Sequence, residues 1–186
     1  AIDQQLVPAG TFLQEARHKT IHDLKPQIGL LYANIAKTLD RPTEEVSIQY
    51  KSQLDDCPFD HLLAANIKKD ILLQRTSQGV HRDDILFTMQ EHNFKTVASQ
   101  GQRKSLLFAL KMAEWQTLKN NKGFAPILLL DDVFEKLDEK RMFNLLHWVC
   151  KEDDAQVFIT DTHQKRLADT LQTIGVKHQL IHLEDK

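Results

Sequence analysis

The chain has 186 residues, 41% hydrophobic and 27% charged, with only six glycines and five prolines. That is one domain or two small ones, apolar enough for a packed core and too poor in Gly and Pro for a disordered or collagen-like tract. The net charge is −2, and residues 1–78 carry 9 cationic against 10 anionic side chains, which excludes a uniformly basic nucleic-acid binder. Any DNA surface must be a local patch or be shared with a partner.

From Thr11 to Leu39 the pattern is helical. Leu24, Ile28, Leu31, Ile35 and Leu39 recur at steps of three and four, and Pro26 predicts a kink or a junction of two helices. Val46, Ile48 and Tyr50 alternate with polar residues, which predicts a half-buried strand. A second helical stripe follows: Phe59, Leu62, Leu63, Ile67 and Ile71. After Gly79 the texture changes. Ile85, Phe87 and Met89 alternate, Glu91-His92-Asn93 turns, and Phe94 to Ala98 extends again, which predicts a β-hairpin. A long helix then carries Leu106, Leu107, Leu110, Ala113 and Leu118 to about Lys119, and Asn120 to Phe124 forms a loop. Pro126 to Asp132 predicts a strand apolar on both faces, as in a central parallel strand. A helix (about Glu139 to Lys151), a strand (Val157 to Thr160), a helix (about Gln164 to Ile174) and an extended end (Lys177 to Leu183) complete the chain. This β-α-β-α-β order predicts a parallel α/β sheet. Trp115 and Trp148 lie in helical patterns and are expected in the core rather than as base-stacking platforms. No apolar run approaches the roughly 18 residues of a membrane span, so no membrane partner is expected. Cys57 and Cys150 are isolated, which points to a reducing cytoplasm rather than a disulfide scaffold.

Two features carry chemistry. The apolar strand 127–130 delivers Asp131 and Asp132 at its C-terminal end, the rim where α/β sheets bind ligands. In nucleotide hydrolases a carboxylate there holds Mg²⁺, and a neighbour can orient or deprotonate the attacking water. A strand followed by a polar turn gives the same letters. Ser99-Gln100-Gly101-Gln102 opens a helix, whose free N–H groups attract phosphate. Gly101 permits close backbone approach, and Ser99 adds a hydroxyl. Ser99 is equally a preferred helix cap.

Taken together, the phosphate-type helix start, the strand ending in Asp-Asp, Asp138 and the second strand ending Thr160-Asp161-Thr162-His163 resemble the ABC-type ATPases: signature motif, Walker B, D-loop, switch region. More closely the chain resembles the RecF family of SMC-like recombination ATPases. Gly79-Val-His-Arg-Asp-Asp84, Ala98-Ser-Gln-Gly-Gln-Arg103, Leu110-Lys-Met-Ala-Glu114 and Leu130-Asp-Asp-Val-Phe-Glu-Lys-Leu-Asp138 carry the likeness. It is specific over residues 79–138 and weaker over 139–186. Over 1–78 only helical character and order are compatible.

The resemblance implies an α/β fold, the C-terminal part of a P-loop ABC/SMC-type ATPase head with a parallel sheet flanked by helices, plus a mainly helical lobe. Residues 1–78 would be the lobe and 79–186 the head. It implies that Ser99 and Gly101 touch the γ-phosphate of ATP on an opposite subunit, with Gln102 and Arg103 supporting them. Asp131 would hold Mg²⁺, Asp132 would handle water and Asp138 would sit at the dimer interface. Relatives often carry Glu at the position of Asp132, whose shorter arm implies slow turnover. The switch residue would be either Asp161, which directly follows the second strand, or His163 two residues on. The family implies an ATP-dependent homodimer acting on DNA at single-strand gaps or junctions. Its RecO and RecR partners help to load the recombinase, within the SOS response.

No Gly-x-x-x-x-Gly-Lys-Ser/Thr surrounds any glycine, and the chain opens on Ala1 rather than methionine. The expectation is the C-terminal half of a longer ATPase, inactive alone for want of the phosphate-cradling loop. Another SMC-like or ABC-type head, or a non-enzymatic DNA-binding module, are the alternatives. Heptad repeats upstream would mark an SMC protein. His81-Arg82-Asp83 matches a kinase catalytic loop in three letters, but Thr88 stands where that loop needs Asn, and the Gly-rich loop and Asp-Phe-Gly are missing. His18 and His22 share an i, i+4 spacing, but Lys19 replaces the Glu of a zinc protease and no third ligand is evident.

Overall fold

The computed structural model describes residues 2–37, 44–131, 135, 137–151, 155–162 and 164–183. Helix α1 spans Ile2–Ala36 and strand β1 Val46–Lys51. Helix α2 covers Phe59–Leu73, β2 Asp84–Met89 and β3 His92–Asn93, followed by the helical turn α3, Phe94–Val97. Helix α4 spans Gln100–Lys122, β4 Leu128–Leu130, α5 Glu139–Lys151, β5 Val157–Ile159 and α6 Gln164–Ile174. The fold is α/β and mostly helical. No helix among the described residues is long and apolar enough to cross a membrane.

The chain divides into two compact units. Residues 1–29 and 45–97 make the first, and residues 30–44 and 98–186 the second. A boundary at residue 78 therefore falls inside the first unit. The reason is strand pairing: β2 lies antiparallel on β1 from Val46↔Met89 to Lys51↔Asp84 and binds residues 84–89 to the earlier strand. The sheet thus stays whole in the first unit, while α1 is divided between the two units after Gly29, a partition that no local pattern announces.

In the first unit the sheet order is β1-β2-β3. Ile48 and Tyr50 are buried on β1 while Gln49 and Lys51 are exposed, the expected alternation. Gln90 and Glu91 both take positive φ, 48° and 69°, and close the two-residue turn into β3. The extended return arm expected over 94–98 is instead a helical turn. Asn93 caps it: its Oδ1 accepts the Lys95 N–H at 2.9 Å, and its carbonyl accepts from Thr96 Oγ1 at 2.8 Å. Pro26 does not end α1, which runs on to Ala36 and buries Ile28, Leu31 and Ile35. The α2 stripe is only half used. Phe59 and Leu63 are buried, whereas Ile67, Ile71 and Leu72 stay exposed.

The second unit holds most of the buried apolar side chains. Helix α4 buries Ser105, Leu106, Phe108, Ala109, Met112, Ala113 and Trp115, a face with helical spacing. Leu107 and Leu118, expected on that face, lie off it and are exposed. The helix runs through the expected loop as far as Lys122 and stops at Gly123, whose φ of 73° suits glycine. Trp115 is buried and donates its indole N–H to Pro126 O at 2.9 Å. It meets the half-buried Trp148 edge to face, with centroids 6.3 Å apart, so both tryptophans are packed side chains as expected. β4 and β5 pair in parallel, Leu128↔Val157 to Leu130↔Ile159. Leu130 is buried but Leu129 is 73% exposed. The strand is therefore covered on one face only, against the expectation of burial on both. No third strand forms over residues 177–183.

Candidate functional site

Ser99 opens α4 with extended backbone (φ −66°, ψ 167°) and completes a reciprocal cap. Its Oγ accepts the Gln102 N–H at 3.3 Å, and Gln102 Oε1 accepts the Ser99 N–H at 2.7 Å. Such a box satisfies two helix-end donors and fixes the entry angle of the chain. Gln102 is thereby a supporting residue of this start. Arg103 is exposed, and its N–H donates to Ser99 O at 3.0 Å. The first turn of this 23-residue helix contains no acidic residue, so its positive dipole end is uncompensated from within and favours an anion. Ser99 is exposed and Gly101 half-buried.

Asp131 follows directly on β4 and is exposed. The register that pairs Leu130 with Ile159 sets it beside Thr160, whose hydroxyl donates to Asp131 Oδ1. Thr160 N–H in turn donates to Leu130 O at 2.9 Å. A carboxylate so oriented at a strand end is a hard oxygen donor suited to Mg²⁺, which binds through one or two carboxylates plus phosphate oxygens and water. Thr160 was not singled out in the sequence, although the pairing of the two strand ends is the signal that would have found it. Asp161 is half-buried. Asp132 and His163 lie outside the described residues.

Asp138 caps α5. Its Oδ1 accepts the Arg141 N–H at 2.8 Å, and its carbonyl accepts the Met142 N–H at 3.0 Å. Its other oxygen lies 3.3 Å from Arg141 Nε. The Arg141 side chain is 8% exposed. Its Nη1 donates to Ser105 Oγ at 3.0 Å and its Nη2 to Glu44 Oε1 at 2.7 Å. Ser105 Oγ donates to Gly101 O at 2.8 Å, and Tyr32, fully buried, donates to Glu44 Oε2 at 2.5 Å. Burial and the hydrogen bond to the Glu44 carboxylate push the Tyr32 hydroxyl up, so it stays protonated. Burial pulls the Arg141 guanidinium down, but Tyr32 and Glu44 more than offset this and its pKa rises. The structure thus joins Gly101 and Asp138, expected in separate motifs, through one buried cation. Asp131 is bonded by Thr160 instead.

The block 79–84 sits in the other unit and serves the fold there. Gly79 has φ 127°, and a Cβ on it would stand 2.7 Å from the Phe59 ring. Its N–H donates to Gln53 Oε1 at 3.1 Å. Asp83, with its side chain 2% exposed, accepts from Tyr50 OH and lies 3.4 Å from Arg17 Nη1. Burial and then Asp83 raise the Tyr50 pKa. Arg17 also donates to Val80 O at 2.8 Å. His18 pairs with Asp55 at 2.7 Å, and His22 with Asp23 at 3.5 Å. Among the described residues no group of three or more His, Cys, Asp or Glu could hold a metal ion.

No family model matches the chain. It is 35% identical over 181 residues to the DNA replication and repair protein RecF of Flavobacterium johnsoniae, covering 97% of this chain and 49% of that one. RecF of Parabacteroides distasonis is 34% identical over 183 residues, covering 98% and 49%. The solved structure of the recombination mediator protein RecF-ATP in the RecFOR pathway superposes with a TM-score of 0.68 at 25% identity, covering 86% of this chain and 43% of that one. The corresponding RecF-ATPrS structure, at 24% identity and TM-score 0.68, shows the same fold. The chain spans about half the length of the curated relatives it matches.

Proposed function

We propose, from a chain homologous to RecF over half of that protein's length, that it forms the C-terminal half of a RecF-type DNA-repair ATPase. ATP lies between two copies. Ser99 and the free N–H groups of the α4 N-terminus receive the γ-phosphate of the nucleotide held by the opposite copy, with Gln102 and Arg103 in support. Asp131 holds Mg²⁺, Asp132 handles the water, Asp138 lies at the interface, and the switch residue is Asp161 or His163. The phosphate-cradling loop comes from the other half. The dimer acts on DNA at single-strand gaps or junctions with RecO and RecR and promotes recombinase loading. Residues 1–78 form the lobe for DNA or partners and 79–186 contribute to the head.

The observation that carries this reading is the start of α4, a long helix with a fixed Ser99 cap and no acidic residue in its first turn, in a fold shared with a RecF-ATP structure. An exposed serine hydroxyl and a positive helix end suit a phosphate supplied from outside the protomer. Sedimentation of the RecF-length protein with and without ATP tests it. The expected result is a dimer with ATP, and Ser99→Arg blocking dimerisation while one protomer still binds ATP. Normal ATP-dependent dimers in Ser99→Arg would overturn the assignment in trans.

A further inference from the structure

We propose that Arg141 is a positioning residue that couples the phosphate-facing start of α4 to the start of α5. The inference rests on the reading above and adds a residue that no motif contains. Four observations carry it. The Arg141 side chain is buried, at 8% exposure. Its three nitrogens engage three different elements: Nε meets Asp138 at the head of α5, Nη1 meets Ser105 in α4, and Nη2 meets Glu44 beyond α1. A guanidinium is planar and can only donate. Ser105 must therefore accept from Arg141 and direct its own proton to Gly101 O, the bond observed at 2.8 Å. Asp138 is bound twice, by the backbone N–H of Arg141 and by its Nε.

The result is one connected path, an ion pair from Asp138 to the Arg141 guanidinium followed by oriented hydrogen bonds from Arg141 to Ser105 and from Ser105 to Gly101. It joins the carboxylate proposed for the dimer interface to the peptide of the glycine proposed for the γ-phosphate. A rigid fork holding three partners cannot follow one without moving the others. A shift of Asp138 on dimerisation is thus passed to the Gly101 peptide, one helical turn from Ser105. Glu44, fixed on its other oxygen by Tyr32, anchors the far side of the fork and balances its charge. Ordinary folding needs a buried arginine to be paired. It does not need the pairing to end on these two groups.

The experiment uses the RecF-length protein and two variants, Arg141→Lys, which keeps the charge and loses the fork, and Ser105→Ala, which removes only the link to Gly101. ATP affinity of the monomer and the ATP-dependent dimer dissociation constant are measured separately. We expect monomer affinity within twofold of wild type and dimerisation weakened at least tenfold in both. The double variant should be no weaker than the worse single, because the two changes cut one chain. Should Arg141→Lys not fold, Ser105→Ala decides alone. Dimerisation unchanged in Ser105→Ala, or additive losses in the double variant, overturns the coupling and leaves the proposed function standing. Wild type that fails to dimerise with ATP overturns both.

Discussion

Ser99→Asp separates the two things that Ser99 can do. Aspartate is as good an N-cap as serine, whereas removal of the cap costs about 1 kcal/mol. The new carboxylate can accept the Gln102 N–H that Ser99 Oγ now accepts at 3.3 Å, and it sits at the positive end of a helix with no acidic residue in its first turn. The melting temperature of Ser99→Asp should therefore match or exceed wild type, while Ser99→Ala falls. Toward a phosphate the charge acts the other way. Two unit charges about 4 Å apart repel by about 4 kcal/mol at an effective dielectric of 20, and by about half that where water screens the exposed rim. That is a loss of roughly thirty- to a thousandfold in ATP-dependent association. The assay is a thermal melt together with sedimentation at saturating ATP. Ser99→Asp dimers of wild-type affinity would refute the placement of phosphate at this helix start, and a lower melting temperature than Ser99→Ala would refute the capping argument.

Asp131→Asn in the RecF-length protein should weaken magnesium-coupled nucleotide binding, whereas Asp132→Asn should keep binding and slow single-turnover hydrolysis; the opposite split would exchange the two roles. Gly10 lies in α1, and a Cβ there would stand 2.5 Å from the Phe59 ring. Gly10→Ala should destabilise, by about 1–3 kcal/mol of overpacking less about 1 kcal/mol of helix propensity. In a Phe59→Leu background the sign should reverse, and denaturant melts of the four proteins decide it. Burial raises the Asp55 pKa, but the hydrogen bond from His18 and others more than offset this and the value falls below 3.8. The resulting stability is present above that pH and is lost as pH falls through the folded value. The advantage of wild type over Asp55→Asn in acid titration should shrink below about pH 4, and an advantage constant down to pH 2 would contradict the pairing.

The helices α5 and α6 were legible because each is short, strongly amphipathic and bounded by polar turns. The two strand ends were legible because each apolar run stops at polar residues, although only Asp131, and not Thr160, stands out there as a site residue. Residues 94–97 were misread because four residues of mixed polarity carry no period. The informative letter was Asn93, whose side chain caps the turn. Leu129 was expected inside because an apolar run does not show which of its faces has a neighbour. Arg141 was invisible. It stands in the charged run Glu139-Lys140-Arg141 and looks like solvated surface, while the groups that bury it, Ser105 and Glu44, are 36 and 97 residues away in sequence. The sequence singles out Ser99, Gly101, Asp131 and Asp138 one by one, but not the path through Arg141 and Ser105 that joins two of them, Asp138 and Gly101.

The edge-to-face indole pair has a spectroscopic consequence. Trp115 and Trp148 are the only two tryptophans in the chain, and both belong to the second unit. Red-edge excitation, which tyrosine does not absorb, therefore lights that unit alone and leaves the first dark. Circular dichroism follows the helices of both. If the two signals do not superimpose on denaturation, the units melt separately and a two-state fit to either curve is invalid. Trp115 donates to Pro126 O, two residues ahead of β4, the strand that Asp131 directly follows. Its emission colour is thus a label-free monitor of the segment that presents the carboxylate, readable during a nucleotide titration.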